Sequence, residues 1–271
     1  MRPEKSTGGP EAVRGRLMKL VTWNVNSLNV RGPLVEQFLD EVSPDVLCIQ
    51  ELKLPTERVP QEIFTRRGYH VAVHGQPRWN GVLTASKTPL EDVSAGFPGE
   101  EGQSRMQTVR TNGVQIVNLY CPQGSAADSP KFAYKKRFFD ALLTWLEAQD
   151  PAAPLIITGD INIAPNPDDV WSVEAFDNVP TYHPEEHARW KALLDWGLTD
   201  AARPHLPDNA YTFWDYRGGS FWKNKGMRID HFLVTASVLS GVVSGQVHRS
   251  WRKKRGELKA SDHAPVELVI S

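Results

Sequence analysis

Four apolar runs in this chain end in groups that can do chemistry. Leu20-Val-Thr-Trp-Asn24-Val-Asn26 finishes on two amides, Cys48-Ile-Gln-Glu51 on a carboxylate, Ile156-Ile-Thr-Gly-Asp160-Ile-Asn162 on a carboxylate and an amide, and Arg228-Ile-Asp230 on another carboxylate. A fifth cluster, Ser261-Asp262-His263, sits just before the last apolar run. Carboxylates and amides placed where strands run out are costly unless they pair with one another or hold an ion. Taken singly, Asn24 and Asn162 read as turn-forming side chains, and Asp262-His263 as a surface hydrogen bond. Together they read as one site. Its oxygen donors, with no cysteine among them, suit a hard cation, Mg²⁺ or Mn²⁺, better than zinc.

The elements that must position these groups follow from hydrophobic periodicity. Leu17 to Val25 and Val46 to Gln50 read as buried strands, with an amphipathic helix from Pro33 to Val42 between them. Tyr69 to Val73, Gly81 to Ser86 and Arg105 to Arg110 are further strands, and Thr111-Asn112-Gly113 turns the chain into Val114 to Tyr120 as a hairpin. Phe132, Phe139, Leu142, Leu143 and Leu146 recur at helical spacing, which predicts a helix from Lys131 that ends before Asp150-Pro151. Leu155 to Thr158 is a short buried strand that stops at Gly159-Asp160. A helix from Pro184 to Trp196 buries Trp190, Leu193 and Leu194, with Gly197 as its stop. Tyr211 to Trp214, Arg228 to Val234, Val242 to Val247 and Val266 to Ile270 make the last third β-rich. Hairpins mixed with strand-helix-strand units predict an α/β fold, a two-sheet core with helices outside.

The chain has 271 residues, 40% hydrophobic and 23% charged. This is ordinary globular usage, and it excludes disordered, collagenous and coiled-coil classes. Residues 17–271 contain no linker or repeat, so a single domain is expected there. Residues 1–16 mix charges with Gly and Pro and read as a disordered tail rather than a signal peptide, with Met18 as an alternative start. No apolar run approaches the ~18 residues of a membrane span, so a soluble monomer with no membrane partner is expected. Cys48 and Cys121 lie in strand-like runs and read as buried free thiols of a reducing compartment, the cytoplasm, with nucleoid association if the host is bacterial. A net charge of −1 gives no whole-chain attraction to nucleic acid. Any attraction must be local.

Two decoys are set aside on local chemistry. His183-Pro-Glu-Glu-His187 satisfies the H-x-x-E-H zinc pattern, but Pro184 belongs in a first helical turn, which places His183 at or before the cap. Asp160-Ile-Asn162 opens like a calcium loop, yet the sixth position, which must be Gly, is Pro165. No G-x-S-x-G elbow supports a serine hydrolase.

Seven phrases carry a resemblance. Thr22-Trp-Asn-Val-Asn26, Pro44-Asp-Val-Leu-Cys-Ile-Gln-Glu-Leu-Lys53, Asn118-Leu-Tyr-Cys-Pro-Gln-Gly124, Gly159-Asp-Ile-Asn-Ile-Ala-Pro165, Tyr211-Thr-Phe-Trp-Asp-Tyr216, Arg228-Ile-Asp230 and Ser261-Asp-His-Ala-Pro265 stand in family order from Leu17 to Ile270. In these the chain resembles the exonuclease III family of AP endonucleases, in the endonuclease/exonuclease/phosphatase superfamily. Tyr120 followed by Pro-Gln-Gly, where lipid and inositol phosphate hydrolases of the superfamily usually carry a histidine, favours DNA. The resemblance implies a four-layer α/β sandwich, two packed mixed β-sheets flanked by helices. It also implies roles. Glu51 is the main Mg²⁺ ligand, helped by Asn24 and Asp262 directly or through water. Asp160 orients or deprotonates the attacking water, and Asn162 holds Asp160 and contacts the phosphate. His263, oriented by Asp230, donates to a phosphate oxygen, and Tyr120 stabilises the transition state or the departing oxygen. Phe213, Met227 and Ile229 fall where the family lines an apolar pocket for a base-free sugar, although bacterial relatives usually have tryptophan at the position of Phe213.

Charge is concentrated near the end of the chain. Arg217 to His263 holds ten basic residues against three acidic ones, and the run containing Arg252, Lys253 and Lys254 directly precedes Asp262-His263. Phosphates held there would lie beside the chemistry. Lys131 and Lys135, four apart on one helical face, match lysines of the family's helix as backbone contacts. The expected activity is Mg²⁺-dependent cleavage of double-stranded DNA 5′ to abasic sites, leaving a 3′-hydroxyl. Processing of blocked 3′ ends by 3′-phosphodiesterase and 3′ to 5′ exonuclease activity is expected beside it. The competing readings are a phosphomonoesterase or sphingomyelinase-like hydrolase on the same fold, and a DNA-binding module that has lost catalysis.

Overall fold

A computed structural model describes residues 17–100 and 102–271. The expected tail, residues 1–16, lies outside the described residues. Among the described residues, twelve strands form two six-stranded mixed sheets. The first contains β1 (Met18–Asn24), β2 (Val46–Gln50), β3 (His70–His74), β4 (Val82–Ser86), β11 (Val242–Val247) and β12 (Val266–Ile270), in the order β11-β12-β1-β2-β4-β3. The second contains β5 (Glu91–Ala95), β6 (Met106–Thr111), β7 (Val114–Tyr120), β8 (Leu155–Asp160), β9 (Leu198–Asp200) and β10 (Asp230–Thr235), in the order β5-β6-β7-β8-β10-β9. The helices are α1 (Leu28–Glu41), α2 (Glu62–Thr65), α3 (Pro130–Glu147), α4 (Val173–Phe176), α5 (Pro184–Trp196) and α6 (Ala236–Leu239).

Central strands read as unbroken apolar runs because both of their faces are covered. All of β2, β8 and β10 is buried. Leu20, Cys48, Ile116, Ile156, Phe232 and Leu268 fill the space between the sheets. Phe38 of α1 and Phe64 of α2 pack with Trp23 and Ile49 on the outside of the first sheet. Phe138 and Phe139 of α3 and Trp190 of α5 pack with Val117 and Ile157 on the outside of the second. The result is the four-layer sandwich.

Local signals explain most boundaries. Asn112 (φ 51°) and Gly113 (φ 76°) make the two-residue hairpin turn between β6 and β7, where both positions need a left-handed backbone. Helix α5 begins with Pro184 at its first position and stops at Gly197, whose φ of 128° a side chain would resist. His183 is its N-cap, and Glu186 accepts from the His183 N–H at 3.0 Å, so the apparent zinc pattern is a capping box.

Three expectations need correction, and one strand was not expected. Helix α1 starts at Leu28 with Pro33 inside it. The N–H that Pro33 lacks would have bonded to the carbonyl of Asn29, an exposed residue whose carbonyl water can reach. Tyr211 to Trp214 is not a strand, because Phe213 makes single bridges to Met227 on one side and His263 on the other. Arg228 and Ile229 precede β10, since the Arg228 N–H goes to the Asp169 carbonyl at 2.8 Å. Strand β5 is the unexpected one, an edge strand with every residue exposed and therefore no apolar pattern to read.

Candidate active site

Register places the site. Tyr120 of β7, Asp160 of β8 and Asp230 of β10 are successive cross-strand partners at one end of the second sheet. Asn24 and Gln50 end β1 and β2 as partners in the first, and Glu51 follows directly. The two rows meet, since the Asn24 side-chain nitrogen donates to Glu51 Oε1 at 2.8 Å and to Asp160 Oδ2 at 2.9 Å. One amide therefore ties a carboxylate of each sheet to the other.

The backbone leaves the strands abruptly. Asn26 (φ 47°), Glu51 (φ 56°), Lys53 (φ 54°) and Asn162 (φ 57°) all adopt the left-handed conformation. Such residues cost about 1–3 kcal/mol each and persist where the surroundings fix them. Here the fixing bonds are visible. Asn26 N–H donates to Asn24 Oδ1 at 2.9 Å, Ser27 N–H to the Glu51 carbonyl at 2.7 Å, and Asn162 N–H to Asp160 Oδ1 at 3.1 Å.

Charge is crowded into this small volume. His263 Nδ1 lies 2.9 Å from Asp230 Oδ2, and its Nε2 lies 3.7 Å from Asp160 Oδ2. Burial opposes charge on His263, but the Asp230 and Asp160 carboxylates overcome it and raise the imidazole to about 10. Burial is also the main reason that Asp160 rises to about 7, against the pull of His263. Glu51 behaves in the opposite way. Burial would raise it, but the Lys53 ammonium at 2.8 Å and the Asn24 amide hold it below the usual carboxylate range. Tyr120 is raised well above an ordinary phenol, first by burial and then by the charges of Glu51 and Asp160, so it stays a neutral donor. Arg105 stacks over its ring at 4.8 Å.

A cavity of about 140 Å³ opens on these groups. Glu51, Tyr120, Asp160, Asn162, Asp262 and His263 line it together with Phe213, Met227 and Ile229, so the expected reacting set and the expected apolar wall share one space. Gln123 and Thr181 also line it, and neither is among the residues expected from the sequence. Lys53 is a third addition, although its place two residues after Glu51 was a signal: its ammonium pairs with Glu51.

The donor set fits a hard cation. Glu51, Asp160 and Asp262 bring three carboxylates to the cavity, and Asp230, bonded to His263, keeps a buried Oδ1 without a partner. Asp160, Asp230 and His263 also offer ligand atoms within 4.8 Å of one another. His263 already spends Nδ1 on Asp230 at 2.9 Å and turns Nε2 towards Asp160 at 3.7 Å. Asn24 turns its N–H groups to the carboxylates and accepts from the Asn26 N–H with its oxygen. Asp262 Oδ1 accepts from the Asn26 side chain at 3.0 Å.

The expected DNA contacts divide. Lys253 and Lys254 are exposed, and Lys131 is exposed in the first turn of α3. Lys135 is not available for DNA, because it is fully buried, paired with Glu186, and donates to the carbonyls of Asn162 at 2.7 Å and Gln123 at 3.2 Å. Arg252, at 8% exposure, is likewise internal, donating to the carbonyls of Asp262 at 3.2 Å and Trp214 at 2.9 Å.

The profile described as Endonuclease/Exonuclease/phosphatase family matches residues 21–263. Exodeoxyribonuclease III of Haemophilus influenzae is 34% identical over 265 residues, covering 92% of this chain and 98% of that protein. Among solved structures, the 3′ phosphatase NExo from Neisseria, bound to product DNA hairpin, superposes with a TM-score of 0.90 at 37% identity, over 94% of this chain and 99% of that one. An AP endonuclease from Archaeoglobus fulgidus superposes with a TM-score of 0.88 at 33% identity, over 94% and 99%. With its fold, its buried Asp-Asp-His group and these matches, the chain belongs to the exonuclease III and AP endonuclease family of hydrolases, within the endonuclease/exonuclease/phosphatase superfamily.

Proposed function

We propose that the protein is a Mg²⁺-dependent DNA-repair phosphodiesterase that cuts double-stranded DNA 5′ to abasic sites and leaves a 3′-hydroxyl. It acts as a cytoplasmic monomer. One observation carries the reading: the reacting cluster and the apolar wall of Phe213, Met227 and Ile229 line a single cavity of about 140 Å³. A deoxyribose without its base suits so small an apolar space, and an abasic nucleotide is cheap to extrude because no base must be unstacked. The relatives named above support the reading by family.

The chemistry follows from the charges. Glu51, with Asp262 beside it, would hold a divalent cation, which would supply positive charge to the phosphate oxygens. Asp160, whose burial lifts it towards neutrality, orients the attacking water and takes its proton. The Asn162 N–H holds the Asp160 carboxylate. His263, kept cationic by Asp230, donates from Nε2 to a phosphate oxygen, and the neutral Tyr120 hydroxyl donates to developing negative charge.

A second reading has its own support. The likeness to a 3′ phosphatase favours removal of 3′-phosphates from DNA ends at the same site. An end-labelled duplex with one abasic analogue, and a nicked duplex bearing a 3′-phosphate, separate the two when incubated with Mg²⁺ or with EDTA. Incision 5′ of the abasic site in Mg²⁺ and none in EDTA is expected. Phosphate release from the nick with the abasic duplex left uncut would overturn the first reading in favour of the second.

A further inference from the structure

Trp222, at 76% exposure, is the most exposed large apolar side chain among the described residues. It is not loosely held. Its turn, residues 217–225, is closed by Trp222 N–H to the Gly219 carbonyl at 3.1 Å, Asn224 N–H to Phe221 at 3.2 Å, and Lys225 N–H to Ser220 at 2.8 Å. Phe221 beneath it is buried, edge-on to Trp214 at 5.2 Å, and meets the Trp222 ring at 5.2 Å and 74°. The turn that carries the indole is therefore braced, and most of the ring's surface lies in water.

A cleft of about 250 Å³ opens beside it, bordered by Trp222, Tyr216, Arg252, Lys253 and Lys254. Lys253 and Lys254 stand exposed on one side. The acidic residue on the border, Asp215, is already matched by Arg217 at 2.6 Å. Arg252 stacks over the Tyr216 ring at 4.8 Å and donates to the carbonyl of Asp262, so His263 and the reacting cluster lie directly behind this cleft. A free aromatic face bordered by cations is the combination that grips unpaired nucleic acid, because a base offers a π-face and its backbone offers phosphates. Paired bases are stacked on each other and have no face to give. An acidic peptide would use the lysines and leave the indole idle.

We propose that this cleft is a stacking subsite, in which Trp222 takes the face of an unpaired nucleobase and Lys253 and Lys254 hold its phosphates. This deepens the reading of the protein as a DNA phosphodiesterase and rests on it: the occupant is a frayed or gapped stretch of strand beside the cleaved phosphate. The test is fluorescence anisotropy in EDTA at fixed low salt, with labelled oligothymidylate and a base-free deoxyribose-phosphate oligomer of equal length. The wild-type protein should prefer oligothymidylate. W222A should lose about 5- to 100-fold of that affinity, and W222F should keep most of it, because base-aromatic stacking is typically worth about that much. Binding of the base-free oligomer should change by less than about twofold. Equal losses on both oligomers, or no loss on oligothymidylate, would overturn the proposal. Cleavage of the abasic duplex by wild-type protein is measured separately. If it is absent while Trp222-dependent base binding persists, the repair reading fails and the subsite stands.

Discussion

At the residue scale the site works by setting ionisable groups against one another. Asp160 is the group on which the proton chemistry turns, and Asp160→Asn preserves its shape while removing its basicity. Single-turnover cleavage should fall by ~10² to 10⁴ with abasic-duplex affinity retained or raised. Near-normal cleavage by the folded variant would remove Asp160 from the mechanism. His263 sets a pH dependence. Its folded-state value near 10 lies above the ordinary 6.5, so its stabilisation is complete below about 6.5 and is lost as pH rises through 10. Asp160, raised to about 7, acts with the same sign in a lower window, since the folded state holds its proton where the unfolded chain has released it. Metal-free protein should therefore lose stability between pH 6.5 and 10 in urea titrations, and His263→Gln should flatten that slope. Parallel curves for the two proteins would assign the slope elsewhere.

At the scale of elements, legibility depended on whether a segment had one environment or two. Strands β1 and β2 are enclosed on both faces, and α5 is bounded by Pro184 and Gly197, so pattern and punctuation agreed with the structure. Strand β5 offered nothing to read. Tyr211 to Trp214 has the aromatic content of a strand but is bridged to two different segments at one residue. The site's carboxylates, amides and histidine were visible as strand-end groups, whereas Gln123 stood inside the Pro-Gln-Gly phrase without a role assigned to it and Thr181 reaches the cavity from a loop with no local signal. Lys135 is the instructive error. It lies three residues after Phe132 and four before Phe139, on the apolar stripe of α3 and not on a solvent face. Its ion pair with Glu186 joins α3 to the start of α5, and its bond to the Asn162 carbonyl braces the turn after β8. Lys135→Met should cost ~3–5 kcal/mol by leaving Glu186 buried and unpaired, read as a lowered urea midpoint. Adding Glu186→Gln should recover much of that stability. A Lys135→Met midpoint equal to wild type would contradict the bracing role.

At the scale of the molecule, a net charge of −1 means that DNA must be held by a local field. The two exposed lysines beside the site, Lys253 and Lys254, are the members of the basic run best placed to supply it, since Arg252 is spent internally, Arg255 pairs with Glu41 at 3.0 Å, and the Glu257 that Lys254 meets at 3.4 Å is itself in open solvent. Replacing both lysines by alanine should reduce the salt-dependence slope of duplex binding by up to ~1.8, about 0.9 for each phosphate no longer neutralised. An unaltered slope would make them plain surface. The site also depends on sheet docking, because Asn24 comes from one sheet and Asp160 from the other. A change that shifts the packing of Cys48, Ile156 or Phe232 between the sheets would pull Asn24 and Asp160 apart without touching either.

The left-handed backbone at Glu51 sets the evolutionary interests of folding and catalysis against each other. Glycine adopts φ 56° without the steric penalty of a side chain, and in Glu51→Gly that gain offsets the lost contacts of the carboxylate with Lys53 and Asn24. The variant should melt close to wild type in the absence of metal while losing cleavage, measurable by calorimetry and the abasic-duplex assay on one preparation. A library screened only for heat resistance would then fail to purge dead enzymes at this position.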